Sequence, residues 1–353
     1  MRHRNPNRLG LMGLAAGIAL LACAGSAQAA PDAADLRERA NLVLGVLPSE
    51  AQNPENTVTE PKVVLGRMLY YDARLSKNHD VSCNTCHLLD KFGVDGDPTS
   101  TGHRGQVGGR NAPTSLNAAL HFRQFWDGRE PDVEAQALGP PLNPIEMAMP
   151  NAEAVETVLR SIPGYAPLFA EAFPSDEQPI TYTNMGRAIG AFERKLLTPA
   201  PFDAFLKGDD AALDAKQLVG LQRFMDTGCT ACHMGPLLGG TTYQKLGVVH
   251  PYDDPDKGLE EVTGKASDRQ MFKVPSLRNV AETGPWFHNG KVGSLAEAIR
   301  LMAYHQLGTE LTPERIAEIE AFLDSLTGSV DADFVAKPEL PASGPSTPAP
   351  DPS

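Results

Sequence analysis

Two pentapeptides in this chain, Cys83-Asn84-Thr85-Cys86-His87 and Cys229-Thr230-Ala231-Cys232-His233, share the pattern Cys-x-x-Cys-His. Positions i, i+3 and i+4 of a helical turn share one face, so one short segment can present two thiols and an imidazole together. The pattern is that of a c-type haem attachment site: the thiols add to the porphyrin vinyl groups and the histidine supplies the proximal ligand to iron. Cys83, Cys86, Cys229 and Cys232 would then hold two covalent haems, with His87 and His233 on the two irons. A single Cys-x-x-Cys reads as a zinc half-site or a thiol redox pair, and four thiolates could close one zinc site. Each pair here is followed at once by His, and Cys23 is the one remaining cysteine. That favours haem and redox chemistry.

Each iron needs a sixth position. A Met thioether raises the potential of a haem, and a second His lowers it. In the second half the candidates are Met234, Met271, Met302, His250, His288 and His305. Met234 adjoins the proximal His233 and cannot reach the opposite face. Met302 sits inside an expected helix, well separated from the motif. His305, one turn on, is its rival, and a core methionine is the alternative role for Met302. In the first half the candidates are His79, His103 and His121. His79 is close to the motif, whereas His103 lies in a Gly-rich loop that could swing a ligand away from the metal. A solvated loop histidine is the competing reading.

The elements that must position these groups are helices joined by long structured loops. Helices are expected over residues 32–47, 61–71, 151–160, 183–197 and 214–226, and over segments opened by Ser294 and by Thr312-Pro313. In the second of these, Val64, Leu65, Met68 and Leu69 form the apolar face. Ser294-Leu295-Ala296-Glu297 reads as a capping box. Residues 92–113 and 235–284 read as loops. The order helix, haem motif, loop, distal segment occurs twice. The fold class is therefore all-α, with two cytochrome-c-like domains that each carry one haem. The boundaries are 30–199 and 200–336, with the last helix able to pack back on the first domain. The Pro/Ser/Ala-rich residues 337–353 are expected to be disordered.

Residues 1–29 read as a signal peptide: Arg2, Arg4 and Arg8, an apolar run from Leu9 to Leu21, then the small-x-small site Ala27-Gln28-Ala29. The run is too short and too rich in Ala and Gly for a membrane span. A second reading makes Cys23 a lipidated cysteine, but Leu21 fits a lipoprotein signal poorly. The implied location is the periplasm. Formal net charge is −13, and loss of the three signal-peptide arginines would make it −16. Such a surface argues against nucleic acid and would attract a basic redox partner.

From Ala51 to Phe334 the chain resembles the bacterial di-haem cytochrome c peroxidases. The segments that carry the resemblance occur in family order. They are the two haem motifs, Gly102-His103, Gln124-Phe125-Trp126-Asp127-Gly128-Arg129, Gln136 to Pro140, Asn143 to Met147, Tyr243 to Val248, Phe272 to Asn279, Phe287 to Gly290, and the helix around Met302. The resemblance implies a peroxidatic, low-potential haem in the first domain, with His103 as detachable distal ligand. Gln136 and Glu146 would be its distal polar pair and Met147 a pocket-lining residue. Trp126 would lie on the electron route between the haems. The second haem would be the high-potential entry point, with Met302 as distal ligand. Asn111, Thr283 and Pro285 would hold an interdomain calcium ion, and a homodimer would follow. The implied reaction is reduction of hydrogen peroxide with electrons from a small cytochrome c or a blue-copper protein. The alternatives are a di-haem electron carrier and a cofactor-maturation relative of the same fold, which has Tyr where this chain has Met302.

Independently of the resemblance, splitting the peroxide O–O bond needs a group that moves a proton between the two oxygens. A carboxyl group in a low-dielectric pocket, its pKa raised, suits that task, and the one the resemblance places there is Glu146.

Overall fold

The computed structural model describes residues 31–353; the expected signal peptide and Cys23 lie outside the described residues. Two separate clusters of buried apolar side chains organise the chain. The first is built around Leu65, Leu69, Tyr165, Phe169, Ile189 and Phe192. The second is built around Leu36, Phe202, Phe205, Leu221, Phe224 and Phe322. The division at residue 30 expected from sequence misplaces one element. Helix Ala33–Asn41, capped by the Asp32 carboxylate, buries Leu36 and Ala40 in the second cluster. The helix stops well short of residue 47, because Leu44 bridges to Gly235 beside the second haem motif.

The two clusters repeat one packing device. Helix Glu60–Tyr71 crosses helix Tyr182–Glu193 at Gly66, where an added Cβ would lie 1.9 Å from the Ala188 carbonyl oxygen. Helix Ala215–Thr227 crosses helix Pro313–Asp324 at Gly220, where a Cβ would lie 2.0 Å from the Glu318 carbonyl oxygen. Only glycine permits backbones to approach this closely. The close approach at Gly66 also turns the first helix away from the face expected for it. Val63, Gly66 and Tyr70 are buried with Leu65 and Leu69, while Val64 is exposed.

The all-α expectation needs one amendment. Inside the second long loop, Tyr243–Lys245 pairs antiparallel with Met271–Lys273, making a two-stranded sheet in an otherwise helical protein. Three-residue strands show too little alternation to be read from sequence. At Ser294 the hydroxyl accepts from the Glu297 N–H, as a helix cap should, but the reciprocal half of the capping box is not formed; Glu297 pairs with Arg300 instead.

The chain at the expected boundary, residues 198–201, is tied into the interior. Thr198 is fully buried. Its hydroxyl accepts from Asn117 Nδ2 and Asn279 Nδ2, and its N–H donates to Asn117 Oδ1. Arg278, also buried, forks onto Asp203 at 2.5 and 2.9 Å and donates to the Pro236 carbonyl. In the first cluster Arg194 makes the matching fork onto Glu134, 2.7 Å on each arm.

The tail expected to be disordered lies against the first domain. Arg74 donates to the Pro341 carbonyl at 2.8 Å, Ser161 to the Thr347 hydroxyl at 3.0 Å, and the Asp351 N–H to the Lys77 carbonyl at 2.9 Å. Proline already restricts the backbone in the unfolded chain, so extension costs little, and its carbonyls remain free to accept from Arg and Lys. The short helix Ala332–Val335 also packs on the first cluster through Phe334 and Val335.

Candidate active site

Each haem motif borders its own cavity, so the four thiols do not converge on one zinc site. In the first, Ser82 caps the turn Cys83–Cys86 and the His87 N–H donates to the Cys83 carbonyl at 3.0 Å. In the second, Gly228 ends the preceding helix in the left-handed region and the His233 N–H donates to the Cys229 carbonyl at 3.0 Å. Both motifs thus close a single backbone turn from the first cysteine to the histidine. Tyr70 fixes the first motif by donating to the His87 carbonyl at 2.9 Å.

The donor sets suit haem. Burial pushes the Cys83 thiol up and the Cys229 thiol up to about 12. Neutral buried thiols fit addition to apolar vinyl groups better than they fit thiolate ligation of zinc. Nδ1 of His233 lies 2.9 Å from the Leu238 carbonyl, which fixes the tautomer and leaves Nε2 for a metal. Burial lowers both His87 and His233, keeping the imidazoles neutral as ligation requires. Among the described residues, no cluster of three or more His, Cys, Asp or Glu side chains is arranged to hold a bare metal ion.

The first cavity brings together Gln136, Glu146, Met147 and Trp126 with Cys83, Cys86 and His87. Gln136 ends the short helix Val133–Gln136, whose N-cap is Asp132. Glu146 follows the turn Gly139–Leu142, and its Oε1 accepts from Asn143 Nδ2 at 2.7 Å. Burial raises the Glu146 carboxyl above the usual carboxylate range; nearby Arg129 and the Asn143 hydrogen bond oppose this without cancelling it.

His103 is not on the wall of the first cavity. It is buried, with Nε2 3.3 Å from the Ser353 carbonyl oxygen and Nδ1 unpartnered. Its loop is nonetheless tied to the site. The His103 N–H donates to the Glu146 carbonyl at 2.8 Å, and a Cβ on Gly102 would lie 2.2 Å from the Ile145 carbonyl oxygen. His121, a first-half candidate by position in sequence, borders the second cavity instead.

Trp126 borders both cavities, and so does Asn111. Trp126 Nε1 donates to the Asn111 carbonyl at 2.9 Å, and the ring meets His288 edge-on at 6.3 Å. Of the second-half ligand candidates, Met302 and His288 face the second cavity. Nε2 of His288 is engaged with Asp254 at 3.2 Å. His305 is turned away, its Nδ1 2.8 Å from the His250 carbonyl, and Tyr304 stacks on His250. Of the two rivals on helix Leu295–Leu307, Met302 is thus on the face that borders the cavity and His305 is not. Asn111, Thr283 and Pro285 all border this cavity.

Three groups at these cavities carried no role in the sequence reading. Glu193, at the end of helix Tyr182–Glu193, borders the first cavity, and burial followed by the neighbouring Glu134 pushes it up to about 8. An acid on the inward face of an amphipathic helix was the available signal. Arg129 lies over the Phe125 ring and holds Asp127, both set by the tight turn 124–130. Lys273 borders the second cavity from the small sheet.

Residues 60–211 match the family model described as di-haem cytochrome c peroxidase. The chain is 44% identical to the cytochrome c551 peroxidase of Pseudomonas aeruginosa over 89% of its own length and 92% of that protein's. It is 44% identical to the cytochrome c551 peroxidase of Nitrosomonas europaea, covering 86% and 89% of the two chains. It is 33% identical to the methylamine utilization protein MauG of Methylorubrum extorquens, covering 92% and 94%. Among solved structures, a MauG-like protein associated with microbial copper homeostasis superposes with a TM-score of 0.73 at 28% identity, covering 86% of this chain and 97% of that one.

Proposed function

The chain belongs to the di-haem cytochrome c peroxidase family, and on that footing we infer that it reduces hydrogen peroxide to water with electrons from a small cytochrome c or a blue-copper protein. The observation that carries this reading is an asymmetry between two otherwise matched cavities. One combines a haem motif with a buried carboxyl group of raised pKa and an amide, and no thioether other than Met147; the other has Met302 and no carboxyl group on its wall. An electron carrier has no use for the first arrangement. The maturation alternative, which rests on Tyr in the distal position, is disfavoured because Tyr304 stacks on His250 rather than bordering the cavity.

Cys83, Cys86 and His87 would hold the first haem, and Cys229, Cys232, His233 and Met302 the second. When bound, these groups supply an iron that takes up peroxide and a second iron that stores an electron. The protein's own work is proton transfer and positioning. Glu146 Oε1 is occupied by Asn143, so Oε2 is the atom free to accept the proton from the near peroxide oxygen and return it to the departing one. The Gln136 amide orients the peroxide. Met147 and Ile189 keep the cavity apolar around them, which sustains the raised pKa of Glu146.

His103, held away from the cavity, supports the reading of a distal ligand that must leave before peroxide can bind. Because its N–H is bonded to the Glu146 carbonyl, movement of that loop would be felt at the acid–base group. Trp126, bordering both cavities, is the electron bridge in this proposal. A calcium ion at Asn111, Thr283 and Pro285 would rest on neutral oxygens and water, which implies modest affinity. Periplasmic export through residues 1–29 and a calcium-supported homodimer belong to the same proposal. No described helix is long and apolar enough to cross a membrane.

The test is peroxide-dependent oxidation of a reduced small cytochrome c, with enzyme that is fully oxidised or half-reduced, in calcium or in chelator. Turnover only after half-reduction supports both the peroxidase and the His103 gate. Turnover in both states removes the gate. Absence of turnover in either, with both haems low-spin, would favour an electron carrier.

A further inference from the structure

Lys273 is a buried lysine without an acidic partner. It is 4% exposed, and no carboxylate of the described residues pairs with it. Its Nζ lies 3.1 Å from Nδ1 of His121. An ammonium can only donate, so His121 Nδ1 accepts and the imidazole proton sits on Nε2. That Nε2 is buried and has no partner either. Burial holds His121 well below its ordinary value, so the ring is neutral, and it lowers Lys273 to about 8. The wall of the second cavity therefore presents two adjacent donors: a cation whose one acceptor is a neutral imidazole nitrogen, and an imidazole N–H with none.

The backbone explains why the pair stays there. Lys273 ends the strand Met271–Lys273, opposite Tyr243, and its N–H donates to the Trp126 carbonyl at 2.9 Å. The residue is thus anchored at the point where the small sheet meets the turn of Trp126, which borders both cavities.

We propose that Lys273, aligned by His121, binds a propionate of the haem in the second cavity and thereby helps set that haem's high potential and its position against Trp126. The propionates are the only anions a haem brings, and a buried lysine beside a histidine donor is a site for one carboxylate. A cation near the iron favours the reduced state, which carries one positive charge less. Lys273 is on this view a cofactor-binding residue of the electron-entry haem and not part of the peroxide chemistry.

The inference rests on the second cavity holding a haem, so that premise is measured separately by counting covalent haem per chain. The experiment is a spectroelectrochemical titration of full-length holoprotein as wild type, Lys273→Met and Lys273→Arg. The expected result is two haems per chain in all three, a lower midpoint potential of the second haem in Lys273→Met, and recovery toward the wild-type value in Lys273→Arg. Two haems with an unmoved potential in Lys273→Met would overturn the assignment and leave the peroxidase reading intact. Fewer than two haems in the wild-type protein would defeat the haem reading itself. If Lys273→Met fails to retain the second haem, Lys273→Arg decides: retention of the haem with near-native potential supports the carboxylate contact, and loss of the haem there too refutes it.

Discussion

Replacing Glu146 by Gln tests the proton-transfer role with little change of shape. The Gln carbonyl can keep the hydrogen bond that Oε1 accepts from Asn143 Nδ2 at 2.7 Å, so the turn 143–147 and the His103 loop bonded to it should stay in place. What is lost is an ionisable oxygen in a buried site. A positioned general acid–base contributes about 100- to 10,000-fold, equivalent to about 3–5 kcal/mol of barrier. Burial, the dominant influence on Glu146, raises its pKa, so the wild-type rate should climb as pH rises through that raised value, because the basic form must accept the first proton. The variant should lose that acidic limb. Stability moves the other way. A carboxyl group whose pKa is higher folded than unfolded stabilises fully below its unfolded pKa of about 4.5, and that contribution is lost as pH rises through the folded value. At neutral pH the Gln variant should therefore melt at the same temperature as wild type or higher. The assay is steady-state oxidation of a reduced cytochrome c by peroxide between about pH 5 and pH 8, with haem counted and thermal melting recorded on the same samples. A variant with full haem and a turnover within threefold of wild type would refute the role of Glu146. So would a low turnover that keeps the wild-type pH profile.

Three further perturbations follow from other parts of the structure. His103→Ala should let the fully oxidised protein bind cyanide at the first haem as fast as the half-reduced wild type does; a rate equal to that of oxidised wild type would remove His103 from the gate. Met302→His should lower the potential of the second haem, since His/His ligation favours the ferric state, and should abolish activation by mild reductants. An unchanged reductive titration would exclude Met302 as ligand. Arg278→Ala leaves Asp203 buried without its cation and should cost about 3–5 kcal/mol in a denaturant melt, far more than loss of an exposed pair such as Arg300 with Glu297. Equal losses for the two would contradict the buried-pair argument.

The local chemistry of this protein is written locally. The two Cys-x-x-Cys-His runs need only one helical turn each to present thiols and imidazole together, so their meaning survives without knowledge of the rest of the chain. The helix starts at Asp32, Asn151, Asp214 and Thr312 were equally legible, because a cap is a contact between residues three apart. Glu146 and Gln136 took their roles from the family resemblance, and the fold places both at the first cavity.

What sequence could not decide were the choices made by distant partners. The face of helix Glu60–Tyr71 was set by a backbone crossing at Gly66 rather than by its apolar spacing. Helix Ala33–Asn41 joined the second core because Leu44 meets Gly235, almost two hundred residues on. The tail after Lys337 has the composition of a disordered segment but finds Arg74, Lys77 and Ser161 waiting as donors and an acceptor on the first domain. That Met302 borders the second cavity and His305 does not depends on which side of one helix the fold turns inward. Lys273 and His121 lie far apart in sequence, and only the sheet and the Trp126 turn bring them to the same wall. Residue type and short spacing therefore determined what chemistry the chain can carry. The long-range burial of apolar faces decided which of the capable side chains reach a cavity, because a contact across the fold leaves no periodic trace along the chain.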